Sequence, residues 1–260
     1  MRVSDKEVGR HWNQDADRWA EEVRKGYDTY RDLFNNPAFF EFMGDINGKK
    51  VLDAGCGEGY NTRIMAQKGA QVIGVDISSR MIELAQEEEQ RNPLGISYHV
   101  ASFSNLPPFE SESFDMVVSF MALMDAPDYE GAVGEFFRVL RKGGELYFSI
   151  SHPCFMTKEI NWIEDEQGHP VSIVISDYFS PEPYEECWKF PSSENPEKFT
   201  IIYFPRTLSA YLNGLINAGF VLKRIAEPRP SEEVCRKYPG LRRWREHVAI
   251  FLHVHAVKPQ

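Results

Sequence analysis

VLDAGCGEGYNTRIMAQKGAQVIGVDIS, Val51 to Ser78, decides the fold. Val51 and Leu52 end an apolar run that reads as a strand. Gly55, Gly57 and Gly59 then make a loop with little side-chain bulk. Backbone N–H groups in such a loop approach a ligand closely, and a helix opens from it. Gly69 stops that helix. Gln71 to Val75 is a second strand, ending at Asp76, about twenty residues beyond the first glycine. An acid there accepts hydrogen bonds from both hydroxyls of an adenosine ribose.

Two departures from the dinucleotide pattern GxGxxG narrow the ligand. Asp53 stands just before the glycines, where a carboxylate repels a pyrophosphate and suits a cation. Residue 60 is Tyr, so the last glycine of the pattern is missing. These residues suit an adenosine that carries positive charge and no phosphate. S-adenosyl-L-methionine, with its sulfonium and α-ammonium, has that character. The motif residues Asp53, Ala54, Gly55, Cys56, Gly57, Gly59 and Asp76 resemble those of the Rossmann-like, class I S-adenosylmethionine-dependent methyltransferases of the type 11-like kind.

The resemblance implies an α/β fold with a seven-stranded sheet of order 3-2-1-4-5-7-6 and helices on both faces. It implies S-adenosyl-L-methionine as cofactor and S-adenosyl-L-homocysteine as product. Two further stretches carry it. Leu106-Pro107-Pro108-Phe109 leads to Phe114-Asp115-Met116-Val117-Val118-Ser119, similar to the family's fourth strand. Arg138 to Leu146, RVLRKGGEL, is similar to the turn before its fifth strand. On this basis Ile77 and Met81 contact the cofactor after Asp76, with Met81 against the adenine or simply in the core. Phe103 and Phe120 follow strand ends on the ligand side. Relatives carry an acid for the adenine amino group where Ser102 stands; a serine can still accept that bond, less strongly than a carboxylate. Family members often have His where Asp125 stands.

Residues 1–45 form an N-terminal helical unit. Trp12, Ala16, Trp19, Ala20 and Val23 recur at helical spacing, and Gly26 breaks the pattern. In relatives such helices cover the cofactor, which makes this unit a lid and places Tyr27 and Arg31 towards it. Arg31 is then a partner for the cofactor carboxylate. Packing on the sheet edge is the other reading. Residues 46–152 form the cofactor-binding core. Its clearest helix runs from Asp128 to Leu140 and is closed by Gly143-Gly144.

Residues 153–206 interrupt the core with frequent prolines and many aromatics, which forbids a long helix and argues against disorder. Ser172–Ser176 and Phe199–Phe204 read as strands, paired with each other. The insertion leaves the ligand side of the sheet, so it reads as a cap over the acceptor, with a sheet extension or dimer contact as alternatives. His152 at its start is a candidate general base. Residues 207–260 return to the sheet. Within them Glu227–Glu246 reads as a charged, solvated excursion.

The net charge of −10 disfavours nonspecific binding to nucleic acid or anionic membranes. Cys56, Cys154, Cys187 and Cys235 form no CxxC, which argues against zinc and dithiol chemistry and for free thiols in the cytoplasm. No metal site is expected. The function expected is methyl transfer to a small-molecule acceptor, at oxygen, nitrogen or carbon, by a monomer or homodimer. The alternatives are an NAD-type oxidoreductase and a non-catalytic S-adenosylmethionine-binding protein.

Overall fold

Apolar side chains on both faces of consecutive strands require a sheet covered on both sides, and the computed structural model contains one. The structure describes residues 3–106, 109–190 and 193–260. Pro107, Pro108 and Pro191 of the sequence reading lie outside the described residues. The sheet strands are β1 (Lys50–Ala54), β2 (Gln71–Asp76), β3 (Ser97–Val100), β4 (Phe114–Phe120) and β5 (Leu140–Ser151). The insertion contributes β6 (Ile160–Glu164), β7 (Pro170–Ile175), β8 (Tyr184–Trp188) and β9 (Phe199–Tyr203), and the chain returns with β10 (Val221–Ala226) and β11 (Phe251–Val257). The main sheet runs β3-β2-β1-β4-β5-β11-β10. Its first five strands are parallel, and β11 lies antiparallel to both β5 and β10. With the insertion strands left uncounted this is the expected order 3-2-1-4-5-7-6.

One face packs Leu52, Val117 and Phe148 beneath helices α5 (Tyr129–Val139) and α6 (Leu208–Asn217). The other packs Val51, Met116 and Val118 beneath α2 (Asn36–Met43) and α3 (Tyr60–Gln67), through Phe39, Phe42 and Met65. Among the described residues no helix is long and apolar enough to cross a membrane.

Three local expectations are corrected. Helix α5 stops at Val139, not at the glycine pair. Leu140 is already extended, pairs with Phe114, and offers its carbonyl to Lys258 Nζ at 2.7 Å. The insertion strands are not paired with each other: β7 pairs with β6 and β9 with β8, as two separate hairpins. The charged excursion folds into short helices at Glu232–Lys237 and Arg242–Glu246, pinned by buried Cys235, Leu241 and Trp244 against Phe34 and Phe251. Two of its arginines spend their charge locally, Arg245 on Glu232 at 2.7 Å and Arg242 on Glu246 at 3.0 Å.

Helix α1 (Asp5–Arg24) begins at a Ser4–Glu7 capping box. Ala16 and Ala20 pack on Met81 and Leu84 of α4 (Ser79–Arg91). Its other flank meets the β8–β9 hairpin, with Val8 on Ile202 and Phe204, and Val23 on Phe190 and Phe199. Trp19 sits edge-on to Trp12, Trp188 and Phe199 at ring distances of 5.1, 5.3 and 5.5 Å. The helix is thus a wedge between core and insertion. Truncating Trp19 to Ala removes its apolar area and leaves a gap between aromatic neighbours, a loss of about 2 kcal/mol for a side chain that is only partly buried. Urea unfolding should show that loss, and hydrogen exchange should rise first in α1 and β8–β9.

Candidate functional site

Strand order reverses at β1, which has β2 on one side and β4 on the other. Open α/β sheets bind ligands outside the carboxyl ends of strands at such a point. The glycine loop is fixed there by one carbonyl: the amides of Gly55 and Cys56 both donate to Val75 O at 2.9 Å. Gly55 has φ +83°, and a Cβ on it would lie 2.3 Å from the Cβ of Ala122, which follows β4. Both the backbone conformation and the close approach therefore require glycine.

Asp76 ends β2 with its carboxylate held by two backbone amides. Gly57 N–H donates to Oδ2 and Ser78 N–H to Oδ1, both at 2.8 Å. Each oxygen keeps a further lone pair. Burial raises its pKa, opposed by those amides. Asp53 is 1% exposed. Thr62 donates to its Oδ2 at 2.6 Å, and Oδ1 has no partner. Burial, with the charge of Asp76 adding to it, pushes the Asp53 carboxyl up to about 7. The charge of Asp76 thus reaches Asp53, and the unanswered carboxylate oxygen of Asp53 suits an ammonium group.

The other expected residues divide. Ala54 is buried at the strand end, and Cys56 contributes its backbone while its thiol packs with Ile82, Ala85 and Tyr98. Ile77 lies under α1, where a Cβ on Gly9 would sit 3.1 Å from its carbonyl oxygen. Met81 is 2% exposed against Ala16 and Ala20, which is the core alternative. Phe103 sits beside the Gly55 position and packs on Phe136. Phe120 turns to the opposite face, against Phe39 at 4.8 Å, so its ring belongs to the core under α2. Tyr27 packs with Val23 and Phe199.

Arg31 lies 3.9 Å over the ring of Tyr60 in the loop's helix, with Nε 2.7 Å from Asp32 and Asp28 close by. Its charge is already answered by acids. His152 is 2% exposed with both ring nitrogens engaged: Nε2 meets Glu227 at 2.8 Å, and Nδ1 accepts from Cys154 N–H at 3.2 Å. Burial holds its pKa down. The general base expected here has no free ring nitrogen; the histidine instead straps the start of the insertion.

Other residues enter from distant sequence. Ser102 Oγ shares a 2.8 Å hydrogen bond with Ser104 Oγ, which donates to Asp5 of α1 at 3.1 Å. A carboxylate therefore does reach this loop, from the N-terminal helix. Asp125 ends the 3-10 turn Leu123–Asp125, and Glu186 faces inward from β8. The only signal for Glu186 was an acid on the inward phase of an aromatic strand. Among the described residues no cluster of three or more His, Cys, Asp or Glu converges to hold a metal ion.

Residues 52–148 match the family model described as a methyltransferase domain. A ubiquinone biosynthesis O-methyltransferase of Hahella chejuensis is 32% identical over 117 residues, 44% of this chain and 49% of that protein. The chain spans about half the length of the curated relatives it matches in this way. An S-adenosylmethionine-dependent methyltransferase of Mesorhizobium loti superposes with a TM-score of 0.69 at 27% identity, over 85% of this chain and 96% of that one. A Burkholderia thailandensis 1,6-didemethyltoxoflavin-N1-methyltransferase, solved with S-adenosylhomocysteine, shares the fold at a TM-score of 0.57 and 15% identity, over 99% of this chain and 92% of that one.

The loop's tolerance is measurable. Gly55→Ala must relieve both a positive φ and the collision with Ala122, which costs about 1–3 kcal/mol. Thermal denaturation should show a Tm lower by several degrees, and an unchanged Tm would mean that the loop has slack.

Proposed function

We propose, from the premise that this chain belongs to the class I, Rossmann-like S-adenosylmethionine-dependent methyltransferases, that it methylates a small-molecule acceptor held between the sheet, the N-terminal helices and the β8–β9 hairpin. The observation that carries this is the pair of buried acids at the strand reversal, one with an unpartnered oxygen. S-adenosylmethionine, when bound, supplies a methyl group on a positively charged sulfur.

The chain's own residues bind and orient. Asp76 takes the ribose hydroxyls on its remaining lone pairs, and Asp53 Oδ1 takes the α-ammonium. The Ser102–Ser104–Asp5 chain stands on the adenine side. Helix α1 covers the site as a lid, packed through Ala16 and Ala20 and tied by polar contacts: Asn13 with Ser78 at 2.7 Å, Asp17 with Arg80 at 2.7 Å, and Arg24 with Glu58 at 3.1 Å. The hairpin is the cap. Aligning acceptor, methyl and sulfur supplies several kcal/mol of the barrier. A base is needed only where the acceptor must lose a proton, and His152 is assigned no such role. A pyrophosphate would face the buried Asp53, and Tyr60 stands where the last glycine of the dinucleotide pattern would be, which disfavours the oxidoreductase reading. Free thiols suit the cytoplasm as the place of work.

Three measurements check the reading. In calorimetry Asp76→Ala should weaken S-adenosylmethionine binding by tenfold or more, since hydrogen bonds to a charged acceptor contribute about 1.5–3 kcal/mol each. Equal affinity would remove Asp76 as the ribose ligand. Asp53 must be ionised to hold an ammonium, and its pKa is raised to about 7. Affinity should therefore fall as pH drops below neutrality, with proton release on binding near pH 7 and neither effect in Asp53→Asn. A flat profile in the parent protein would sink the Asp53 assignment. NAD should leave Tm unmoved at concentrations where S-adenosylmethionine raises it.

A further inference from the structure

Beyond the end of β4 lie acidic and phenolic groups that cofactor binding does not use. Strand β8 alternates, so Tyr184, Glu186 and Trp188 turn inward while Glu185 and Cys187 face out. Across the hairpin, Glu186 pairs with Ile201 and Tyr184 with Tyr203, whose ring lies 5.3 Å from that of Tyr184. The amide of Phe204 donates to Met124 O at 3.2 Å, which fastens the end of β9 beside the turn that carries Asp125.

Asp125 is 6% exposed and its Oδ1 has no partner. Tyr211 beside it is fully buried, with Arg206 acting on its hydroxyl. The charge of Glu186 acts on Asp125, Tyr184 and Tyr203, and that of Asp76 reaches Asp125 from the cofactor side. Burial raises the pKa of Glu186, and nothing among the described residues lowers it. The nearby cation is Arg206. Its guanidinium lies 5.3 Å over the ring of Tyr129 and donates to the carbonyls of Ala126 at 2.5 Å and Phe204 at 3.2 Å. It lowers the pKa of Asp125, as does a hydrogen bond from Trp12 of α1, and it forms no ion pair with either carboxylate among the described residues.

Asp125 is buried with an unpartnered oxygen and half-buried Glu186 faces it from β8, and shielded acids destabilise the fold unless a cation answers them. We propose that Asp125, Glu186 and the surrounding tyrosines form the acceptor subsite, and that the acceptor is a small molecule with a cationic amine, methylated on that nitrogen. This rests on the methyl-transfer reading above. Tyrosine faces attract an ammonium as well as tolerating its apolar part. A carboxylate or phenolate acceptor would meet repulsion from both acids.

The step balances. The ammonium passes one proton to the Glu186 carboxylate. The freed nitrogen lone pair forms the N–C bond to the methyl as the C–S bond breaks, and that bonding pair stays on sulfur. The product is a methylated ammonium and a neutral thioether, and the proton leaves from Glu186 to solvent. Glu186 is thus a catalytic residue, and Asp125 binds.

The test uses the whole chain, methyl-labelled S-adenosylmethionine and a metabolite extract separated into cationic, neutral and anionic fractions. Label should enter the cationic fraction and fall by about tenfold when the extract is first N-acylated, because acylation removes both the charge and the nucleophilic lone pair. In the presence of S-adenosylhomocysteine that same fraction should raise Tm for the parent protein and not for Glu186→Gln. Glu186→Gln should lower kcat/KM on it by about 30-fold or more, with cofactor affinity kept within about twofold and Tm kept or raised. Asp125→Asn should act in the same direction, chiefly through KM. Label confined to the neutral or anionic fraction overturns the amine and leaves methyl transfer standing. No label in any fraction, with cofactor bound, overturns both. Lost turnover accompanied by a lower Tm in Glu186→Gln would make the residue structural and overturn its role.

Discussion

The carbonyl of Val75 receives two amides, from Gly55 and Cys56, and the candidate site depends on that fork. It bends the chain sharply off β1 and lays the loop against the end of β2. Gly57 is then placed to donate to Asp76. Asp53 is left beneath the loop, where Thr62 of the following helix can reach it. The same bend brings Gly55 so near Ala122 that only a hydrogen fits between them. Three strands that are distant in sequence are thereby locked at one place, and two acids are buried that a more open loop would leave to water.

Their burial is costly, and the cost is informative. A carboxylate that loses water without gaining a counter-charge weakens the fold. Such groups persist where a ligand or a reaction needs them. Asp53 and Asp125 each retain an oxygen with no partner, while Asp76 is held by amides. By contrast, Arg242 and Arg245 of the excursion between β10 and β11 are paired with neighbouring glutamates at the surface.

The sheet was legible in the sequence because glycine spacing, strand length and terminal acids are local signals with few structural solutions. Ser78, Asp128 and Thr207 each accept an amide as their helices begin, local chemistry of the same kind. Legibility failed where a choice of face or partner is made by distant chain. Phe120 and Met81 carry no local mark of which side they occupy, and packing against Phe39 and Ala16 decided it. The two insertion hairpins follow from pairing across proline-rich loops, which periodicity does not encode. Asp5 and Glu186 reach the site only through the placement of α1 and β8. His152 had the right chemistry for a base, but the fold occupies both its nitrogens.

The position of β11 has a consequence for how the chain is made. It lies inside the sheet, between β5 and β10, although it follows both in sequence. On the ribosome, the edge of β5 therefore waits without its neighbour while the hairpins, α6 and β10 emerge. An unpaired inner edge is a template for pairing with other chains, and synthesis at about 5–20 residues per second prolongs the wait. That edge of β5 is thus open to mispairing until β11 arrives, which gives the order of synthesis a bearing on how the sheet closes.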